Sequence, residues 1–189
     1  MSKKELINNF SFSQNKKNII NDYIYSEYEK NISIRKLLKN KSLLVDDLVK
    51  KAWKKNSLKK KDICLIAVGG YGRSELFPYS DIDILILVRN YDDKKILKNI
   101  ENFIADVWHL KFQVGHSVRS VDDCIIAINE DIATFTSVLD CRIILGDRLL
   151  YESMLRNIES KSIWSKKNFL SAKKLEQKKR YRKYSNTAY

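Results

Sequence analysis

Two aspartates, Asp81 and Asp83, stand at the head of DIDILILV, a run that is otherwise wholly apolar. Extended backbone sends alternate side chains to opposite faces, so both carboxylates reach the same side of a sheet. Unpaired carboxylates placed there repel each other and are costly beside a core. A divalent cation removes that cost, and oxygen ligands with phosphate nearby suit Mg2+. Just upstream, Gly69, Gly70 and Gly72 crowd together with Pro78 in a chain that has only 5 glycines and 1 proline. Such crowding is expected where the backbone takes positive φ or must come close to a ligand. Successive N–H groups with no side chains in the way also form a nest for phosphate oxygens. A plain tight turn would explain the glycines alone, and a solvated strand end the aspartates alone. The order apolar strand, Gly-Gly, Asp-x-Asp, apolar strand points instead to metal-assisted phosphate chemistry.

The elements that must hold these residues can be read from periodicity. Ile63–Val68 (ICLIAV) is a short unbroken apolar run, suited to a strand buried on both faces. Residues 69–80 read as a loop and residues 81–88 as a second strand. Asp92 or Asp93 can cap a helix whose apolar stripe is Ile96, Leu97, Ile100, Phe103, Ile104, Val107 and Trp108. Residues 111–119 alternate, with Phe112, Val114, His116 and Val118 on one face, which predicts a third strand. Ser120 and Asp123 form a capping-box pair at the head of CIIAI. A helical pattern then runs from about Asp131 to Ile144, breaks at Gly146-Asp147 and resumes. Two amphipathic helices precede residue 56, one on Ile19, Ile20, Tyr23, Ile24 and Tyr28, the other from Leu37 to Ala52. Helices, strand, loop, strand, helix, strand and helices imply an α+β (α/β) arrangement, a small mixed sheet with helices packed on it. The expected divisions are a helical segment over 1–56, the phosphate-handling domain over 57–150 and a basic helical segment over 151–189.

Composition bounds the partners. The chain has 189 residues, 44% of them hydrophobic, so it can bury a core. No apolar run is long enough to span a membrane, and the basic start MSKKELINNFSFSQNKKN lacks the apolar centre of a secretory signal, so the cytoplasm is the expected compartment. The net charge of +13 invites a nucleic-acid reading. The cations are mostly scattered lysines in an Ile- and Asn-rich chain, and a solvated helix face explains the denser stretches 50–61 and 161–183 equally well. Cys64, Cys124 and Cys141 sit in apolar surroundings and read as buried thiols. His109 and His116 lack partners at zinc-ligand spacing.

VGGYGRSELFPYSDIDILIL closely resembles the signature of the polymerase-beta-like nucleotidyltransferases. Within that superfamily GGYGRSELFPYSDID resembles the amino-terminal region of the bacterial PII uridylyltransferases, which also carry a uridylyl-removing activity. The resemblance continues through VGHSVRSVDDC, LDCRIILGD and KKRYRKYSNTAY, covering the chain from about Asn31 onward. It implies transfer of UMP from UTP to a tyrosine of the nitrogen regulatory protein PII; nucleic acid is not the expected partner, since no thumb-like or helix-hairpin-helix segment is seen. It also implies the sheet type of that superfamily and two Mg2+ ions held by Asp81 and Asp83 as the catalytic pair. Gly69, Gly70 and Gly72 would hold the triphosphate, with Arg73 and Ser80 as phosphate contacts by position; for Arg73 an exposed loop cation is the competing reading. Relatives with another nucleotide or acceptor, and a nucleotide-binding remnant without catalysis, are the rival readings.

The chain departs from the superfamily in two respects. Many members place a third carboxylate on the neighbouring strand, but FQVGHSV contains no acid. His116 is its only titratable group and reads as a core histidine, while Asp122, Asp123, Glu130 or Asp131 could substitute from the helices that follow. The resembling enzymes are also several times longer. No His-Asp pair occurs here, so removal of UMP is not expected, and the chain reads as a truncated catalytic piece.

Overall fold

β1 (Ile63–Ala67) is buried along its whole length, because both of its faces are covered. It pairs antiparallel with β2 (Ile82–Val88) on one side and with β4 (Arg142–Gly146) on the other. β3 (Val114–Arg119) joins the far edge parallel to β2, giving the order β3-β2-β1-β4. The computed structural model describes residues 16–58, 61–160 and 163–183. The basic opening over 1–15, part of the two lysine-rich stretches and the closing YSNTAY fall outside them.

Alternation along the strands splits the interior into two layers. Ile63, Leu65 and Ala67 of β1 and Ile82, Ile84, Ile86 and Val88 of β2 face one core. That core is closed by α1 (Lys16–Glu29), α2 (Ile34–Lys55) and α4 (Lys94–His109). Cys64, Ile66, Val68, Leu85 and Leu87 face the other, closed by α5 (Val121–Glu130), α6 (Ile132–Leu139) and α7 (Arg148–Ser160). Asp83 belongs to this second face, level with Leu85 and Leu87, and so looks towards α6. A last helix, α8 (Lys166–Lys183), turns Phe169, Ala172, Lys173 and Glu176 inward at i, i+3, i+4 and i+7. Phe169 meets Phe135 of α6 edge-on at 6.3 Å between ring centres.

The small mixed α+β sheet matches the expectation, and so do two local signals. The Asp93 side chain accepts the Lys95 and Ile96 N–H groups at the head of α4. Ser120 and Asp123 form the reciprocal capping box of α5. Three expectations are corrected. The helix starting at Asp131 ends at Leu139, and residues 142–146 form β4 rather than more helix. A short run such as RIIL fits a helix or a strand by period, and the open edge of β1 decides for the strand. Residues 69–72 are not open loop but a single helical turn, α3 (Gly69–Gly72). His116 is exposed rather than buried. β3 is an edge strand, and the ring of its histidine packs edge-on against Trp108, 5.5 Å away and itself 54% exposed. Cys64 and Cys124 are buried as expected, their thiols pushed up to about 12 chiefly by that burial. Cys141 is half-buried, within 3.6 Å of the Tyr151 hydroxyl. Among the described residues no helix is long and apolar enough to cross a membrane.

Candidate active site

Gly69 leaves β1 with φ +57, the left-handed conformation that glycine adopts at least cost, and turns the chain into α3. The Gly72 and Arg73 N–H groups close that turn on the Val68 and Gly69 carbonyls, both at 3.0 Å. Gly69 and Gly70 are thereby left at the open end, where a helix has no internal acceptor for its first N–H groups. A methyl at Gly70 would meet only the Glu75 carbonyl at 3.7 Å and the Arg73 guanidinium at 3.9 Å. Gly72 has a different reason to be glycine: a Cβ there would stand 1.9 Å from the Asp140 carbonyl.

A buried polar network fixes this turn. Asp46 of α2, 2% exposed, accepts the Tyr71 hydroxyl at 2.6 Å and the Arg142 guanidinium at 2.8 and 3.2 Å. Arg142 also donates to the Tyr71 and Gly72 carbonyls, both at 3.3 Å. Tyr71 keeps its proton, since burial above all, and then the Asp46 charge, raises its pKa well above the usual phenol value.

The segment between the turn and Asp81 is held from beneath by Lys41, which is 1% exposed. Its Nζ donates to the Phe77 carbonyl at 2.7 Å and the Pro78 carbonyl at 2.9 Å. Burial, and next the charge of Lys17, lower its pKa to about 8. The native chain therefore releases this proton at lower pH than the unfolded chain, whose lysine titrates near 10.5. The unfolded state binds more protons between those values, so this group's contribution to stability rises with pH from about 8 towards 10.5. Lys41→Met is expected to remove that rise and to lower stability by the two lost carbonyl contacts. Melting temperatures of parent and variant at pH 7.5 and 9.5 check this; parallel shifts in both would contradict it.

Asp83 lies where two cavities meet. One, of about 430 Å³, is lined by Gly69, Arg73, Asp83, Ser137, Lys173 and Glu176 among others. The second, of about 310 Å³, carries Asp83 with Gly115, Ser117 and Arg119 of β3 and Asp131 and Ser137 of α6. Burial first, and the nearby charge of Asp81 second, push the Asp83 carboxyl above the usual carboxylate range. Asp81 itself is exposed, just before the first residue of β2. A half-buried carboxylate pressed by a second one, beside an open glycine turn, fits a hard divalent cation that takes its remaining oxygens from phosphate and water. Among the described residues no group of three or more His, Cys, Asp or Glu could hold a metal ion.

The remaining sequence candidates separate. Arg73 reaches the cleft while paired with Glu75 at 2.8 Å and with Asp140 at 2.5 Å. Ser80 lines neither cavity; its N–H closes a turn on the Phe77 carbonyl at 3.1 Å. Asp123 is occupied by its capping box and by the Tyr91 hydroxyl. Asp131 alone of the four acids considered as substitutes lines the cleft, and there it caps α6 through the Ala133 and Thr134 N–H groups. The sequence reading missed the opposite wall. Ala133, Thr136, Ser137 and Asp140 recur at i, i+3, i+4 and i+7, a small and polar stripe that marks the face of α6 turned to the cleft. Lys173 of α8, paired with Glu176 at 2.6 Å, completes that wall.

Comparison with known proteins places the chain among relatives. The family model described as nucleotidyltransferase domain matches residues 47–151. Similar proteins include the bifunctional uridylyltransferase/uridylyl-removing enzymes of Pseudomonas fluorescens, 41% identical over 157 residues, and of Pseudomonas aeruginosa, 40% identical over 157 residues. The corresponding enzyme of Pseudomonas syringae pathovar tomato is 41% identical over 157 residues. Each match covers 82% of this chain and 17% or 18% of the relative, so the chain spans less than a fifth of their length.

Proposed function

We propose, because the chain belongs to the nucleotidyltransferase domain family, that it transfers UMP from UTP to a tyrosine hydroxyl of a PII-type signal protein. The observation that carries this reading is Asp83: half-buried, charged against Asp81, and set beside the open end of the Gly69–Gly70 turn. Asp81 and Asp83 would hold magnesium, two ions in all, supplying Lewis-acid polarisation of the α-phosphate and neutralising charge on departing pyrophosphate. The glycine turn admits the triphosphate without side-chain obstruction. Arg73 and Lys173 line the same cavity as Asp83 and offer cations to the phosphate tail. The acceptor oxygen forms a bond to the α-phosphorus, the bond to the β-phosphate oxygen breaks, and pyrophosphate leaves. The hydroxyl proton passes to solvent or to a carboxylate of the cleft. The choice of uridine and of PII rests on the relatives, which are uridylyltransferases by name. No removal of UMP is proposed for this chain, whose sequence has no His-Asp pair.

Incubation with labelled UTP and PII, with ATP and an RNA primer as separate controls, tests the proposal. Label on PII from UTP alone is the expected result. Labelled primer would identify a polymerase, label from ATP an adenylyl transfer, and no label with any acceptor a chain that binds nucleotide without transferring it.

A further inference from the structure

β3 turns Gly115, Ser117 and Arg119 towards the cleft, and the position nearest the reacting carboxylate has no side chain. In the parallel β2–β3 pair, Gly115 is the register partner of Asp83. A methyl group built on Gly115 would stand 2.2 Å from Asp83 Oδ1 and 3.4 Å from its Cγ, and meets no other atom within 4 Å outside its own chain neighbours. The backbone itself does not call for glycine here. Positive φ among the glycines is confined to Gly69 and Gly146, and Gly115 sits inside a regular six-residue strand. Glycine at such a place weakens a strand by roughly 0.5–1 kcal/mol relative to alanine. A chain with only 5 glycines keeps one at this point. What excludes a side chain is therefore the carboxylate and not the fold.

We propose that Gly115 is a positioning residue: its bare Cα is the seat over which the Asp83 carboxylate lies, which holds that carboxylate in the cleft. The same contact accounts for the absence of an acid at this point of β3. The Cβ of an aspartate or glutamate would meet the same collision as that of alanine, so the site is closed to a third carboxylate at this position. The functional consequence rests on the reading of Asp83 as a metal ligand; the steric relation between the two residues does not.

The colliding atom is the end of a short side chain, so Gly115→Ala is expected to turn Asp83 to another rotamer rather than to unfold the chain. Three measurements on the full chain decide the matter. In chelator, the variant should melt within a few degrees of the parent. Its Asp83 carboxyl ¹³C resonance, assigned by its loss in Asp83→Asn, should move at fixed pH. Its affinity for Mn2+, read by electron paramagnetic resonance, should fall by about 10–100-fold. In an Asp83→Asn background, Gly115→Ala should produce no further loss of Mn2+ binding. An unmoved Asp83 resonance would overturn the seat, as would an equal loss of Mn2+ in both backgrounds. A parent that binds no Mn2+ would sink the metal reading, while the resonance would still decide the position of the carboxylate. Should Gly115→Ala fail to fold, Gly115→Ala/Asp83→Ala must fold, because it removes the colliding atoms; an unfolded double variant would overturn the proposal.

Discussion

Asp83→Asn is expected to abolish nucleotidyl transfer and to melt at or above the temperature of the parent. The loss is expected to reach roughly a hundredfold to a thousandfold or more, because the variant keeps the shape of the side chain but removes a charge needed where phosphate charge redistributes. The stability half of the expectation follows from the raised pKa of Asp83, caused by burial and then by Asp81. A carboxyl whose native pKa lies above its unfolded value holds its proton more tightly when folded. Its ionised form, present at neutral pH, therefore weighs against the native state. The amide carries no charge and escapes that penalty. Added Mg2+ should raise the melting temperature of the parent and leave that of the variant unchanged. Asp81→Asn should lose transfer to a similar degree with a smaller change in melting, since Asp81 is exposed. Calorimetry in chelator and in Mg2+, alongside labelled transfer, makes the comparison; retained turnover in either variant would remove the metal assignment.

Asp46→Ala is expected to cost about 3–5 kcal/mol, the range for breaking a buried ion pair by deleting one partner. Total stabilities of roughly 5–15 kcal/mol make this a large fraction. The deletion leaves the Tyr71 hydroxyl and the Arg142 guanidinium without the acceptor they share. Asp46→Ala/Arg142→Met should be less destabilised than Asp46→Ala alone, because the stranded cation is gone. Tyr71→Phe should cost less than either, since Asp46 keeps Arg142. Urea unfolding of the three variants measures these differences, and a loss below about 1 kcal/mol in Asp46→Ala would show that the network does not hold the turn.

The features that could be read from sequence are those whose cause is local. Buried strands, the Asp93 cap and the Ser120–Asp123 box depend on residues within a few positions of each other. The glycine cluster and the aspartate pair are legible for the same reason. The Asp46 network was not, because its members lie 25 and 96 residues apart and become partners only when α2 and β4 pack on either side of the turn. His116 was misread because alternation tells which face a side chain takes, and not whether its strand lies at an edge. β4 escaped because its short apolar run fits either period. The wall formed by Ala133, Thr136, Ser137 and Asp140 was present as a stripe, yet such a stripe says little until α8 lies across from it.

The cations at the mouth of the cleft do not face a phosphate group as bare charges. Arg73 is already matched by Glu75 and Asp140, and Lys173 by Glu176. On the proposed reading, a triphosphate that enters would replace one anion by another, and the cleft would behave as an ion exchanger. Added salt weakens the internal pairs as well as the new ones, and the two effects offset each other. On the proposed reading, retention of a nucleotide would therefore depend on how well its phosphates outcompete the carboxylates of Glu75, Asp140 and Glu176.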